Sequence, residues 1–215
     1  QALIIHMFDL SFQWERSFFS KYCSPRTDLL NKIQTKTVMT ITNIEIKART
    51  GRGDAIRTIL LEAGAEFRGT DHQKDTYFRV PSGRLKLREG NIENQLIHYR
   101  RADQEGPKQA DVLLYPSLPG SNLKEILTTA LGIRVVVDKT REIYFMDNVK
   151  FHIDEVEGLG HFVEIEAIDR EGTLGREKLL EQCQYYLSRF GITAEELVAC
   201  SYSDLLLAKR NSMQN

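Results

Sequence analysis

The sequence predicts an α+β fold built on an antiparallel β-barrel or a strongly curled antiparallel sheet. From residue 40 onwards, segments in which apolar and polar residues alternate recur along the chain, as expected for half-buried strands. Most of these segments are joined by turns of hairpin length, which connect antiparallel neighbours but cannot connect parallel strands. The chain has 215 residues, 41% of them hydrophobic, which is enough for one full-sized domain with its own core.

The first half of the chain is predicted to hold four strands and one helix. Residues 40–49 alternate between apolar and charged side chains and should form the first strand. A helix is expected to start at Asp54, whose carboxylate can cap it, and to stop at Gly64. Three further strands are predicted at residues 75–80, 84–89 and 95–101. Residues 103–118 contain two prolines and are predicted to be a loop or an irregular edge.

The second half begins with a predicted helix at residues 122–131, ended by Gly132. Four more strand segments are predicted, at residues 134–140, 141–146, 150–155 and 161–168. The chain should then finish with a long amphipathic helix, a short helix that opens with the capping box of Thr193 and Glu196, and a last helix; the long and last helices are expected at 174–190 and 203–210.

Composition and periodicity also divide the chain and limit its partners. Residues 1–38 show no steady periodicity and are predicted to be a poorly ordered N-terminal extension; the folded domain is predicted at 39–210 and a tail at 211–215. A net charge of −1 offers no global basic field for nucleic acid. No apolar run is long enough for a membrane helix, and three cysteines without metal-ligand spacing fit a reducing compartment. We therefore expect a cytoplasmic monomer or homodimer without nucleic-acid or membrane partners.

The charged faces of the predicted strands are the most informative feature. Strand residues two apart share a face, so Arg84, Lys86 and Arg88 form one basic row. Other rows pair Lys139 with Arg141, Lys47 with Arg49, and Glu164 with Glu166, and combine Lys150, His152 and Asp154. One interpretation is that each row is the solvated face of a sheet. The other is that the rows line a closed barrel, where a polyphosphate would neutralise them.

Acidic residues near these basic rows point to a metal as well as a phosphate. Glu45 lies beside Lys47 on the first strand, and Glu164 and Glu166 share the face of a late strand. Carboxylates would repel a phosphate unless a hard divalent cation lay between them, and Mg²⁺ typically takes one or two carboxylates together with phosphate oxygens and waters. The pattern therefore favours a metal–triphosphate complex. The sequence has no P-loop and no grouping of histidines with metal-ligand spacing.

Several motifs resemble one known family. The segments that carry the resemblance are NIEIK at 43–47, DHQKDTY at 71–77, LKLRE at 85–89, DKTREIYF at 138–145 and FHIDEVEGLGHFVEIE at 151–166, with SYSDLL at 201–206. They are similar to motifs of the CYTH superfamily, the triphosphate tunnel metalloenzymes, which include class IV adenylyl cyclases, thiamine triphosphatases and inorganic tripolyphosphatases. The resemblance covers roughly residues 41–207.

The resemblance implies an eight-stranded antiparallel β-tunnel flanked by helices. It implies that phosphates are held by basic residues, namely Lys47, Lys74, Arg84, Lys86, Arg88, Arg101, Lys139 and Arg141. Among these, Lys47, Lys74 and Lys139 are the candidate catalytic lysines. It implies that Mg²⁺ or Mn²⁺ is held by Glu45, Glu164 and Glu166, with Asp154 as a further ligand. The family signature Glu-x-Glu-x-Lys has Asn43 in its first position here, which leaves one or two metal ions as open alternatives.

Two reactions and one binding role fit these residues. The family hydrolyses triphosphates or cyclises ATP to cyclic AMP and pyrophosphate, and both reactions need the same basic lining and metal. General likeness, including the segment 201–206, favours the cyclase branch. Asn43 and the lack of a recognisable base pocket favour hydrolysis of tripolyphosphate, thiamine triphosphate or a nucleoside triphosphate, which is the function we predict. A non-catalytic polyphosphate-binding module is the third alternative.

Overall fold

The computed structural model describes residues 41–101 and 108–213, without the side chains of 41, 42, 101, 108, 109 and 111. The predicted extension at 1–38 lies outside the described residues, as does the end of the predicted tail. The side chain of Arg101, predicted to bind phosphate, is also outside them. No helix of the described residues is both long and apolar enough to cross a membrane.

The described residues form eight antiparallel strands that close into a barrel, which confirms the predicted fold. In chain order they are β1 (Ile41–Arg49), β2 (Glu66–Phe78), β3 (Arg84–Glu89), β4 (Gln95–Arg101), β5 (Lys108–Pro116), β6 (Ile133–Met146), β7 (Val149–Val156) and β8 (Gly160–Asp169). Around the barrel the order is β1-β5-β4-β3-β2-β6-β7-β8. Closure depends on β1, which pairs with β5 on one side and with β8 on the other.

Three strand predictions were wrong in detail. Residues 108–116, predicted as a loop or irregular edge, form β5, whose Pro116 is its last residue and so removes no ladder bond from the strand interior. Residues 134–146 form one strand, β6, rather than two. Strand β2 begins at Glu66, nine residues before its predicted start, although its first half does not alternate regularly in burial. The resemblance implied eight strands, and the separate segment predictions also gave eight only because two errors cancelled.

Four α-helices and one short 3₁₀-helix accompany the barrel in the described residues. They are α1 (Gly53–Glu62), α2 (Leu123–Leu131), α3 (Gly175–Arg189), the 3₁₀-helix Ala194–Glu196 and α4 (Tyr202–Ser212). The capping box of Thr193 and Glu196 is confirmed. The cap predicted at Asp54 was wrong, because Asp54 lies inside the first turn of α1 and accepts a hydrogen bond from Arg57.

The larger hydrophobic core lies on the outside of the barrel. Even-numbered β1 residues such as Ile44 and Ile46 pack against Leu60 of α1 and Leu179 of α3. Because strand side chains alternate, the odd-numbered residues of β1 point inward. A second cluster includes Tyr77, Phe162 and Tyr202. The helices thus cover the apolar side chains on this part of the outer face, and charged side chains can line the interior.

Candidate functional site

A cavity of about 300 Å³ fills the barrel interior. Twelve charged side chains line it: the seven basic residues Lys47, Lys86, Arg88, Lys139, Arg141, Lys150 and Arg170, and the five acidic residues Glu45, Asp75, Glu93, Glu164 and Glu166. With histidine counted as neutral, the described side chains of the lining carry two more positive than negative charges. Lys86 and Arg88 are only 12% and 8% exposed, so this part of the basic row does not form a solvated face.

Asp75 on β2 is the centre of a buried basic cluster. Its Oδ2 accepts a 2.8 Å hydrogen bond from Lys86 and another of 2.8 Å from Lys139, and Arg88 donates to both of its carboxylate oxygens. Burial alone would raise the pKa of Asp75, but the charges of Arg88, Lys139 and Lys86 outweigh it and hold this pKa well below its usual range. Burial lowers the pKa of Lys139 to about 7, assisted by Arg88, Arg141 and Lys86 and opposed by Asp75. The Lys139 ammonium is therefore poised to exchange a proton near neutral pH.

Glu93 joins this cluster from the turn between β3 and β4. It accepts hydrogen bonds from Arg88 and Lys150, and despite burial these cations hold its pKa below the usual range. The turn is anchored by Asp71, whose carboxylate accepts the backbone N–H groups of residues 92 and 93. Gly90 is needed there, because a Cβ atom on it would lie 2.7 Å from the Asp71 carboxylate oxygens.

Glu164 on β8 organises a second cluster. It lies 3.0 Å from Lys47 Nζ, accepts a 2.6 Å hydrogen bond from Arg141, and lies 3.1 Å from Nδ1 of His152. Burial would raise the pKa of Glu164, but Arg141 and Lys47 hold it well below its usual value. Burial, Arg141 and Lys150 lower the pKa of His152 to about 4, so its ring is neutral at pH 7. Its Nε2 has no hydrogen-bond partner among the described residues.

The start of α4 supports this second cluster. Tyr202, the first residue of α4, lines the cavity, and its ring centroid lies 4.1 Å from Lys47 Nζ. The Tyr202 hydroxyl donates a hydrogen bond to Asp154, which also accepts a 2.7 Å hydrogen bond from Arg141 Nε. Asp154 is 1% exposed and does not line the cavity. It orients Arg141 from behind.

A third group, of oxygen atoms, fits a hard metal ion. Glu45 and Glu166 both line the cavity and lie directly opposite each other in the β1–β8 register, so two like charges face each other across these strands. Asn43 donates a hydrogen bond to Glu166 through Nδ2, while its Oδ1 is buried without a hydrogen-bond partner among the described residues. The described residues contain no group of three or more His, Cys, Asp or Glu side chains placed to hold a metal. Two carboxylates and one amide oxygen are still enough for Mg²⁺, which usually keeps waters and phosphate oxygens as its other ligands.

The structure brings most of the predicted site residues into one cavity and leaves others out. The predicted residues that line it are Glu45, Lys47, Lys86, Arg88, Lys139, Arg141, Glu164 and Glu166. Lys74 lies on the opposite face of β2, is 52% exposed and pairs with Asp138. Arg84, the first residue of the basic row on β3, lies past the end of the cavity and donates a 2.8 Å hydrogen bond to Asp204 of α4.

Sequence reasoning gave no role to Asp75, Glu93 or Tyr202 in the site, and it named His152 only as a member of the mixed row with Lys150 and Asp154. Asp75 shares the alternation phase of Tyr77 on β2, and this phase could have identified it as an inward residue. Nothing in the alternation pattern identifies Glu93, because it lies in a turn, or Tyr202, because it begins a helix after the last strand.

Comparison with known proteins identifies the family of this chain. The sequence profile of the CYTH domain matches residues 42–202. The chain belongs to the CYTH family. Methanocaldococcus jannaschii MJ0240, whose name proposes an adenylate cyclase, is 24% identical over 171 residues, which cover 75% of this chain and 97% of that protein.

Solved structures agree with the CYTH assignment. PH1012 from Pyrococcus horikoshii OT3 is 26% identical, has a TM-score of 0.63, and covers 76% of this chain and 98% of its own. HpAC1 from Hippeastrum, described as an adenylyl cyclase candidate with a dominant triphosphatase activity, is 14% identical with a TM-score of 0.51, covering 80% of this chain and 96% of its own. CYTH proteins are metal-dependent triphosphatases or adenylyl cyclases, and the tunnel fold of this chain implies a small-molecule triphosphate as its substrate.

Proposed function

We propose that this CYTH protein hydrolyses a triphosphate substrate within its barrel, with Mg²⁺ or Mn²⁺ as the required metal. The observation that carries the proposal is the enclosed excess of positive charge around Asp75 and Glu164, with a separate pair of acids at Glu45 and Glu166. A ligand that is both polyanionic and metal-bound complements basic clusters and opposed carboxylates in one cavity.

Phosphate binding is assigned to the basic side chains that face the cavity. Lys86, Arg88 and Lys139 converge on Asp75, so their remaining N–H groups are already held at fixed positions. Lys47 and Arg141 are held in the same way by Glu164. Such preorganisation favours catalysis, because donors that are fixed before binding need no rearrangement as charge develops on the transferred phosphoryl group.

The metal is assigned to Glu45, Glu166 and the Oδ1 atom of Asn43. When bound, it would neutralise charge on the phosphate oxygens and polarise the reacting phosphoryl group. Glu164, predicted as a third ligand, is committed to Lys47, Arg141 and His152, and we assign it the positioning of these side chains instead. We likewise leave Lys74, Arg84 and Asp154 out of the site.

Lys139 is the proposed proton-transfer residue. With a pKa of about 7 in the free protein, Lys139 gains a proton as the polyanion binds, and the resulting ammonium can donate this proton to the departing phosphate oxygen. Lys139 is only 2% exposed, so a proton received there is shielded from bulk water.

Cyclisation of ATP is the second candidate, favoured by the relationship to MJ0240 across almost the whole length of that protein. One assay separates the candidates. The protein is incubated with Mg²⁺ or Mn²⁺ and, in turn, tripolyphosphate, thiamine triphosphate and ATP, and phosphate, pyrophosphate and cyclic AMP are measured. Hydrolysis predicts phosphate release that EDTA abolishes. Cyclic AMP with equimolar pyrophosphate would instead establish the cyclase, and metal-independent turnover would contradict the metal assignment.

A further inference from the structure

The described side chains divide the cavity wall into a charged part and a mostly apolar part. Strands β1, β2, β3, β6, β7 and β8 each contribute at least one charged side chain to it. The neighbouring strands β4 and β5 contribute no charged residue among the described side chains: their lining residues are Gln95, Ile97, Tyr99, Ala110, Val112 and Leu114. The described side chains of these two strands therefore present a mostly apolar arc to the same space.

Strand register places this arc directly beside the proposed phosphate site. Ile97 lies opposite Lys86 on β3 and opposite Leu114 on β5. Neighbouring strands are about 4.8 Å apart, so the arc begins one strand away from a phosphate-binding lysine. At its other edge, Ala110 lies opposite Asn43 of the proposed metal site, which in turn lies opposite the cavity-lining Ile168.

The exposure of the side chains increases along the arc from Ile97 on β4 to Leu114 on β5. Tyr99 and Ile97 are 8% and 7% exposed and pack in the second core cluster. Val112 is half-buried, and Leu114 is 46% exposed although it lines the cavity. The Val112–Leu114 end is therefore apolar surface that a ligand in the cavity can cover.

An inorganic triphosphate does not complement this arc. Its surface consists of charged oxygens, and pressing some of them against aliphatic side chains would remove their water without supplying hydrogen-bond donors. An organic group attached to the triphosphate would instead bury Leu114 and Val112 while its phosphates contact Lys86 and Arg88.

We propose that Ile97, Val112 and Leu114 form a specificity subsite for the organic group of a nucleoside or thiamine triphosphate. The proposal rests on the proposed function, since it needs the phosphates in the adjacent basic clusters. The subsite makes inorganic tripolyphosphate a weaker ligand than an organic triphosphate, and it serves hydrolysis, cyclisation or binding alike.

The test compares two neighbouring leucines on β5. Leu114 lines the cavity and Leu113 points away from it, yet they are 46% and 44% exposed, so Leu114→Asn and Leu113→Asn are closely matched. Dissociation constants are measured by calorimetry for Mg²⁺ with non-hydrolysable ATP, thiamine triphosphate and tripolyphosphate. We expect Leu114→Asn to weaken at least one organic ligand about tenfold and tripolyphosphate less than twofold, with Leu113→Asn unchanged throughout. The organic ligand that responds identifies the class.

The outcomes separate this proposal from the one beneath it. If tripolyphosphate binds wild type as tightly as both organic ligands, or if Leu114→Asn and Leu113→Asn affect them equally, the subsite is overturned while triphosphate binding stands. If no triphosphate binds wild type, the proposed function is overturned and the subsite with it. A more conservative variant, Val112→Thr, should shift the same ligand in the same direction even if Leu114→Asn fails to fold.

Discussion

Lys139 of β6 donates a 2.8 Å hydrogen bond to Asp75 of β2 in the barrel interior, and both side chains are almost completely buried. The pair is unequal, because Asp75 has three cationic partners whereas Lys139 is surrounded by other cations. The carboxylate therefore stays charged at any ordinary pH, and the ammonium has a pKa of about 7. A bound phosphate would supply the negative charge that Lys139 lacks.

Asp75→Asn should destabilise the ligand-free protein strongly. Removing one partner of a buried ionic group typically costs about 3–5 kcal/mol, because the remaining charges have no counter-ion. Tripolyphosphate with Mg²⁺ should then raise the urea midpoint of the variant more than that of wild type. The control is Asp138→Asn, which removes a carboxylate paired with the half-exposed His72 and Lys74 and should cost less than about 1 kcal/mol. Equal losses in the two variants would contradict the central role of Asp75.

Triphosphate binding should take up a proton at Lys139. A polyanion raises the pKa of this lysine above its free value of about 7, so at pH 8 binding should draw in close to one proton and at pH 6 far less. Affinity should consequently weaken as the pH rises above 7. Calorimetry in two buffers of different ionisation enthalpy measures the uptake, and Lys139→Arg, which stays charged, should abolish the difference between pH 6 and 8 beyond the ligand's own titration. An unchanged uptake in Lys139→Arg would assign the proton elsewhere.

Glu166→Gln should remove metal dependence without harming the fold. The variant keeps the size of the side chain and can still accept the hydrogen bond from Asn43, so its melting temperature should stay close to that of wild type, while turnover falls at least 100-fold. Glu155→Gln, an exposed change on the adjacent strand β7, is the control and should keep wild-type turnover. Glu164→Gln should lose both stability and turnover, because it weakens the contacts to Lys47 and Arg141. A Glu166→Gln protein with normal metal dependence would refute the metal assignment.

Alternation in the sequence predicted the strands whose two faces differ in polarity. The bounds of β3 and β4 were predicted correctly, and in β3 the basic inner residues alternate without interruption with Leu85 and Leu87 on the outer face. Strand β5 was missed since both of its faces carry apolar residues, including the exposed Leu113 and Leu114, and two prolines flank or end it. Missing β5 also removed the apolar arc from view, which explains why no pocket for an organic group was predicted.

Residues that line the cavity were predicted where the alternation of a single strand is enough to place them. Lys86 and Arg88 follow from the alternation of β3, whereas Lys74 was assigned by resemblance, and a one-residue step along β2 puts it outside. The counter-ions could not be predicted, because pairing Asp75 with Lys86 and Lys139 needs the register of three strands. Asp154 and Arg84 share the phase of lining residues but lie beyond the cavity.

Thermal unfolding of wild type, Lys86→Met and Lys74→Met tests the central claim most directly. Each protein is heated with and without Mg²⁺ plus tripolyphosphate or a non-hydrolysable ATP analogue. Lys86 lines the cavity and Lys74 is exposed on the outer face of the adjacent strand, so the two changes match in chemistry and differ in location. Losing one charge-assisted phosphate contact should weaken binding by about 1.5–3 kcal/mol. The ligand should therefore raise the melting temperature of Lys86→Met clearly less than that of wild type and Lys74→Met. An equal rise in all three proteins would contradict triphosphate binding inside the barrel.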